Sequence, residues 1–224
     1  TSASEAEIDW IEHDLSDAVE AIDELEWDGE RVVRSEGFKL DCLWLEQERR
    51  AAPPSARVSD FLYEQLQRRP LGSLLDEHEI ALAIGRVEWA RSAGVDDLPT
   101  DVEAALLMEA CEGSRSIDAI KASQPARLLR SLLAPHIVAG FEKIAPTSVR
   151  LPSGKQLAVR YATDRPPWLA SYLQDFIGLR VTPTLGGVTL TVHLWAPRAR
   201  PIQVTNDHAS FWDGGYPAKK KQLS

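Results

Sequence analysis

No stretch of the 224 residues reads Gly-x-x-x-x-Gly-Lys-Ser/Thr. A P-loop nucleotide site is therefore excluded, because a phosphate-cradling backbone loop and its lysine are needed to hold a triphosphate and Mg²⁺. Cysteine is almost absent. Cys42 and Cys111 stand far apart in no CxxC spacing, which reads as two buried free thiols of a reducing cytoplasm rather than a disulfide or metal site. The five histidines, His13, His78, His136, His193 and His208, are dispersed, and none lies at metal-ligand spacing from another His or Cys. No apolar run approaches the length of a membrane span, and there is no internal repeat or long low-complexity segment. The single methionine is not at the start, which reads Thr1-Ser2-Ala3. We therefore expect a piece of a longer polypeptide or a processed product.

Three local patterns imitate catalytic motifs and fail. Asp76-Glu77-His78-Glu79 looks like a DExH box, but its fourth position is Glu79 and no glycine-rich loop accompanies it. It reads instead as an acidic first helical turn, favoured by the helix dipole. His78-Glu79 does not extend to HExxH, because residue 82 is leucine. Ser153 sits in no GxSxG elbow, and neither it nor Ser210 has a nearby base motif. No catalytic residue is assigned, and none of these patterns supplies a cofactor site.

What is present is apolar mass, tryptophan and an uneven charge. Hydrophobic residues make up 44%, with seven tryptophans, enough for a packed core with rigid aromatic anchors. The net charge is −9, but residues 1–144 carry 15 Lys+Arg against 30 Asp+Glu, whereas residues 145–224 carry 10 against 4. The +6 segment is a plausible partner for phosphate backbones and the −15 segment a poor one.

Taken in order, Glu5–Leu15 reads as a short amphipathic helix. Ala21–Trp27, Arg31–Val33 and Phe38–Leu45 then alternate as three strands, with turns at Asp28-Gly29 and Gly37. The charged 46–55 stretch with Pro53-Pro54 reads as a linker. Helices follow: one capped by Ser59, one over Asp76–Ser92, one opened by a Thr100–Glu103 capping box, one over Ser116–Ala122, and one begun by Pro125 and broken at Pro135. After Pro146, Val149–Leu151 and Leu157–Tyr161 form a hairpin, and Pro166-Pro167 is read as opening a helix with Trp168, Leu169, Tyr172, Leu173 and Phe176 on one face. In Gly187–Trp212, Val188, Leu190, Val192 and Leu194 alternate with Thr189, Thr191, His193 and Trp195, a half-buried strand. Ile202 and Val204 start a second strand, and Asn206-Asp207 stop it.

The fold class expected is α+β: a small antiparallel β unit (1–54), a helical bundle (55–146) and an α+β C-terminal module (147–224). In the last, Arg150, Lys155, Arg160, Arg165, Arg180, Arg198 and Arg200 are interleaved with Tyr161, Trp168, Tyr172 and Trp195. Cations that neutralise phosphates beside rings that stack on bases are what a single strand of RNA or DNA requires. We take Arg198, Arg200, Arg160, Arg165, Lys155 and Trp195 as candidate nucleic-acid contacts. The competing reading is an ordinary solvated surface over a tryptophan-rich core. His193 and His208 are candidate neighbours in space.

The last third also carries an ordered series: Leu151-Pro152-Ser153-Gly154, Leu173-Gln174-Asp175-Phe176-Ile177-Gly178-Leu179, Thr182-Pro183, His193-Leu194, Ala196-Pro197, Arg200-Pro201, Gln203-Val204-Thr205, Asp207, Phe211-Trp212 and Tyr216-Pro217. In these residues the chain resembles the C-terminal domain of the bacterial HrpB family of DEAH-box ATP-dependent helicases. The resemblance is looser over the middle helices and weak over the first fifty residues. It implies an accessory region whose ATPase, with its ATP and Mg²⁺, lies in RecA-like motor domains elsewhere in a cytoplasmic parent protein. Such a region would dock on the motor, help hold RNA, or recruit a protein partner. The alternative class is a protein–protein interaction module with the acidic segment as its contact face, and a stand-alone enzyme is a third.

Overall fold

A computed structural model describes residues 18–177, 179–196 and 200–215. It is α+β, as expected, and forms two compact units: Thr1–Leu75 with Leu107–Ser123, and Asp76–Leu106 with Gln124–Ser224. The helix expected over Glu5–Leu15 lies outside the described residues.

The first unit is built on a three-stranded antiparallel sheet of β1 (Val19–Asp28), β2 (Arg31–Leu40) and β3 (Leu43–Ala51) in that order. Asp28-Gly29 makes the first turn as expected. The second turn is not at Gly37 but at Asp41-Cys42, where Asp41 takes φ 55°. Gly37 lies inside β2 with φ 152°, beside a bulge, and a Cβ there would fall 2.0 Å from the Glu46 carbonyl oxygen. Only glycine admits that approach of two backbones. The charged stretch after Leu45 is not a linker either: β3 runs to Ala51, and Ala52 is buried with its N–H donating to the Val32 carbonyl. Cross-strand and cross-element ion pairs suit such a solvated strand. Asp23 on β1 meets Arg34 at 2.8 Å and Arg57 of α1 (Ala56–Leu66) at 2.8 Å, and these cations hold its carboxyl down to about 2. Ser55, not Ser59, caps α1, accepting from the Val58 N–H. Cys42 is exposed rather than buried, because it occupies that second turn, whereas burial pushes the Cys111 thiol up to about 11.

The second unit joins α2 (Glu77–Ser92), α5 (Pro125–Leu132) and α6 (Pro135–Ile144) to a five-stranded sheet; α3 (Val102–Cys111) spans the division, and α4 (Ile117–Lys121) belongs to the first unit. Asp101 rather than Thr100 caps α3, accepting from the Ala104 N–H. The sheet comprises β4 (Ser148–Arg150), β5 (Gln156–Ala162), β6 (Arg165–Tyr172), β9 (Thr191–Ala196) and β10 (Arg200–Thr205), in the order β10-β9-β6-β5-β4. All pairings are antiparallel except β6–β9. A separate two-stranded ribbon holds β7 (Thr184–Leu185) and β8 (Val188–Thr189).

Pro166-Pro167 begins no helix. β6 is a central strand in which Pro167, Leu169 and Ser171 are buried in alternation. The two prolines precede the β9 ladder, which starts at Trp168, and they sit at a register shift against β5, so their missing N–H groups leave no rung empty. The helical turn arrives only at Leu173–Phe176.

One face of this sheet is covered. α2 lies against β5, with Gly85 on Tyr161, and Phe176, Leu190 and Phe211 are buried with Val159, Leu169, Val192 and Leu194. The boundary expected at 146/147 therefore runs through the second unit: α2, assigned by sequence to the 55–146 bundle, covers a sheet assigned to 147–224. At the far side, Arg86 (3% exposed) donates to the Ala145 carbonyl at 2.7 Å and to Glu142 at 2.9 Å, and Trp89 donates to the Ile144 carbonyl at 3.1 Å. Both side chains satisfy carbonyls left over at the C-terminus of α6, where a cation also meets the helix dipole favourably.

His208 opens the short helix α7 (His208–Ser210) and is fully buried, 5.6 Å from the Phe176 ring centre. Its Nδ1 lies 3.2 Å from Thr182 Oγ1, while Nε2 has no partner. Burial depresses its pKa, with Asp207 pulling the other way. The unfolded chain therefore binds more protons near its ordinary value of about 6.5. Stability is full above that value and falls as pH drops below it. We expect urea midpoints to fall between pH 7.5 and pH 5, and to fall less in His208→Leu. An equal fall in both proteins would place the pH dependence elsewhere.

Candidate nucleic-acid interface

Alternation along the strands sends every second residue of β5, β6 and β9 to the face opposite α2, which no described element covers. Arg160 on β5 stands directly opposite Trp168 on β6. His193 on β9 follows, its ring 6.1 Å from that of Trp168, and Val204 on β10, 57% exposed, stands opposite His193. The Arg165 guanidinium lies 5.3 Å from the centre of the Trp168 ring, within cation–π range, and pairs with Asp164 at 3.0 Å. Four residues further along β6 and two along β9, Tyr172 (40% exposed) meets Trp195 edge-on at 6.4 Å. Burial first, and then Arg165 and Arg160, holds the His193 imidazole below its usual pKa, so this part of the face already carries a positive potential.

Three of the expected contacts, Arg160, Arg165 and Trp195, thus share one sheet face. Lys155 does not join them. It pairs at 2.5 Å with Asp175, which also accepts from the Ser171 hydroxyl on the covered side. Burial alone would raise the Asp175 carboxyl, but Lys155 and Ser171 outweigh it and hold it low. Arg200 stands in register with Ala196 on the edge strand β10, and Arg198 lies outside the described residues. Tyr161 is on the opposite face under α2, its hydroxyl donating to the Pro146 carbonyl. His193 and His208 are not neighbours, since one faces outward and the other packs on the covered side. Sequence reasoning left Trp168, Tyr172 and His193 off the contact set, although the alternation of Val192 and Leu194 already placed His193 beside Trp195.

A concavity of about 530 Å³ is lined by Leu151, Pro152, Leu179, Asp175, Arg180 and the exposed Ile177 and Val181. Among the described residues no His/Cys/Asp/Glu group could hold a metal, and no helix is long and apolar enough to cross a membrane. Asp76-Glu77-His78-Glu79 is the start of α2, with the Asp76 carboxylate accepting from the Glu79 N–H at 2.8 Å.

Comparison with known proteins identifies the family. Residues 106–224, which include the whole sheet, match the family HrpB_C, described as ATP-dependent helicase C-terminal. The ATP-dependent RNA helicase HrpB of Escherichia coli K12 is 33% identical over 113 residues, 50% of this chain and 14% of that protein. Two solved structures are similar: the E. coli DExH-box NTPase HrpB (TM-score 0.63, 25% identity, 97% of this chain and 28% of that one) and the E. coli DEAH/RHA helicase HrpB (TM-score 0.60, 24% identity, 92% and 28%). The second, at that identity, speaks for the fold alone. The chain spans about one seventh of the curated relative's length and under a third of the solved chains. With the family match extending over more than half of its residues, the chain belongs to the HrpB_C family, the C-terminal region of HrpB-type ATP-dependent helicases.

Proposed function

We propose that this chain is the accessory region of a cytoplasmic ATP-dependent RNA helicase, and that it holds unpaired nucleic acid for motor domains carried elsewhere in the parent protein. ATP and Mg²⁺ are assigned to those motor domains, and this region binds neither. The observation that carries the reading is the open sheet face, where Arg160 and Arg165 flank the half-buried rings of Trp168 and His193. The +6 charge of residues 145–224 supports it, since backbone phosphates supply most non-specific affinity. Arg198 and Arg200 belong to the proposed contact set on charge alone.

The test is fluorescence anisotropy of a labelled single-stranded oligonucleotide over a salt series. Log affinity should fall with log salt, with a slope of roughly −0.7 per neutralised phosphate. The double variants Arg160→Ala/Arg165→Ala and Arg198→Ala/Arg200→Ala should each flatten that slope. Lys155→Ala should not, because Lys155 is committed to Asp175. If neither double variant changes slope or affinity, a second reading leads: docking on the motor domains or on another protein. The apolar groove with Ile177 68% and Val181 77% exposed favours that role, because exposed apolar clusters rimmed by charge mark contact surfaces.

A further inference from the structure

The rings on the open face fall into two pairs rather than one patch. Trp168 with His193 forms the first, and Tyr172 with Trp195 the second. Within each strand the members of successive pairs are not adjacent: Trp168 and Tyr172 are four residues apart on β6, and His193 and Trp195 are two apart on β9. Ala170, between Trp168 and Tyr172, carries no ring. At about 3.3 Å per strand residue, Trp168 and Tyr172 are roughly 13 Å apart along β6. Among the described side chains, two arginines of the face stand at the Trp168 end, Arg160 opposite it and Arg165 over it.

Resting on the nucleic-acid reading above, we propose that this face is a two-station stacking platform for unpaired bases. One base lies against the Trp168/His193 pair and another against the Tyr172/Trp195 pair. A stacked strand advances about 3.4 Å per nucleotide. His193 and Trp195 are only about 7 Å apart along β9, so the two ring pairs are separated by about two to four steps of a stacked strand and receive bases that are not nearest neighbours. The shortest oligonucleotide that reaches both is on the order of four nucleotides, the low end of site sizes for single-strand platforms. Arg160 and Arg165 take the phosphates at the Trp168 end, so that station combines charge with stacking and the Tyr172/Trp195 station contributes stacking. Recognition by ring faces is sequence-tolerant, because every base presents a π-face. It also needs no 2′-hydroxyl, so RNA and DNA single strands are equivalent ligands for this face.

The experiment uses the whole chain with oligo-U and oligo-dT of two to twelve nucleotides, and an abasic deoxyribose-phosphate strand of matching length, all at one salt concentration. Affinity should rise steeply up to about four nucleotides and only slowly beyond. Tyr172→Ala, at an exposed position, should weaken four-nucleotide binding about tenfold with the salt slope unchanged. Trp168→Phe should retain binding, and Trp168→Ala should lose it in the same way as Tyr172→Ala. The Arg160→Ala/Arg165→Ala variant should change the slope instead. Equal binding of the abasic strand, or an unaltered Tyr172→Ala, overturns the stacking platform while leaving phosphate binding intact. Binding of oligo-U with none of oligo-dT also overturns it, in favour of 2′-hydroxyl readout. If no strand of any kind binds, the nucleic-acid reading itself fails.

Discussion

Replacing Arg86 with alanine should destabilise the second unit by about 3–5 kcal/mol, the usual cost of removing one member of a buried charged network. The guanidinium is 3% exposed and serves three neighbours: the Ala145 carbonyl, the Glu142 carboxylate and the Phe141 ring, 4.9 Å from its centre. Alanine leaves the Ala145 carbonyl without its donor in a residue that is fully buried. Glu142 can still reach water, since its side chain is 37% exposed, which favours the lower end of the range. Lysine keeps the charge but lacks the planar fork that meets a carbonyl and a carboxylate together. Arg86→Lys should therefore fall between wild type and Arg86→Ala in denaturant unfolding. If Arg86→Ala unfolds at the wild-type midpoint, the guanidinium is not the clamp at the end of α6.

The second large effect is expected one residue earlier. A Cβ on Gly85 would sit 2.7 Å from Tyr161 Cβ, 3.0 Å from the Tyr161 carbonyl carbon and 3.1 Å from the Ala162 nitrogen. Two of those atoms are backbone of a paired strand and cannot turn aside. In a helix interior, glycine to alanine gains up to about 1 kcal/mol from backbone propensity. Overpacking costs about 1–3 kcal/mol. Gly85→Ala is therefore expected to be mildly destabilising despite the better helix former, and Gly85→Leu strongly so, by lifting α2 off β5. Chemical denaturation of both variants checks this. A stabilised Gly85→Ala would mean that helix and strand have room to part.

Much of this was legible before the structure. The period-two alternation of β9, the Asp28-Gly29 turn and the proline that opens α5 have local causes and read correctly; Pro135, expected to break that helix, does so and also opens α6, and the ordered residues of the last third read correctly through the family resemblance. The errors arose where two periodicities fit the same residues. Trp168, Leu169, Tyr172, Leu173 and Phe176 satisfy a helical stripe, while the strand reading places Ser171 on the buried face. A buried serine argues against a strand until its partner is known, and that partner, Asp175, arrives only through the following turn. β3 was missed because a strand solvated on both faces has no alternation to show, and ion pairs such as Arg49–Glu26 replace apolar patterning. The open face was legible only in pieces. Arg160 and Trp168 come together through the β5–β6 register, and Trp168 and His193 through a parallel pairing that no local signal encodes.

The packing of α2 on β5 also has a consequence in time. The helix ends at Ser92 and the strand that covers its Gly85 face begins at Gln156. A ribosome adding about 5–20 residues per second leaves roughly 3–13 s between them. During that interval the notch at Gly85 lacks the Tyr161–Ala162 backbone that fills it in the finished fold. The glycine that lets helix and sheet approach so closely in the finished fold is, during synthesis, an open seat, and the order in which the chain emerges decides what can sit there first.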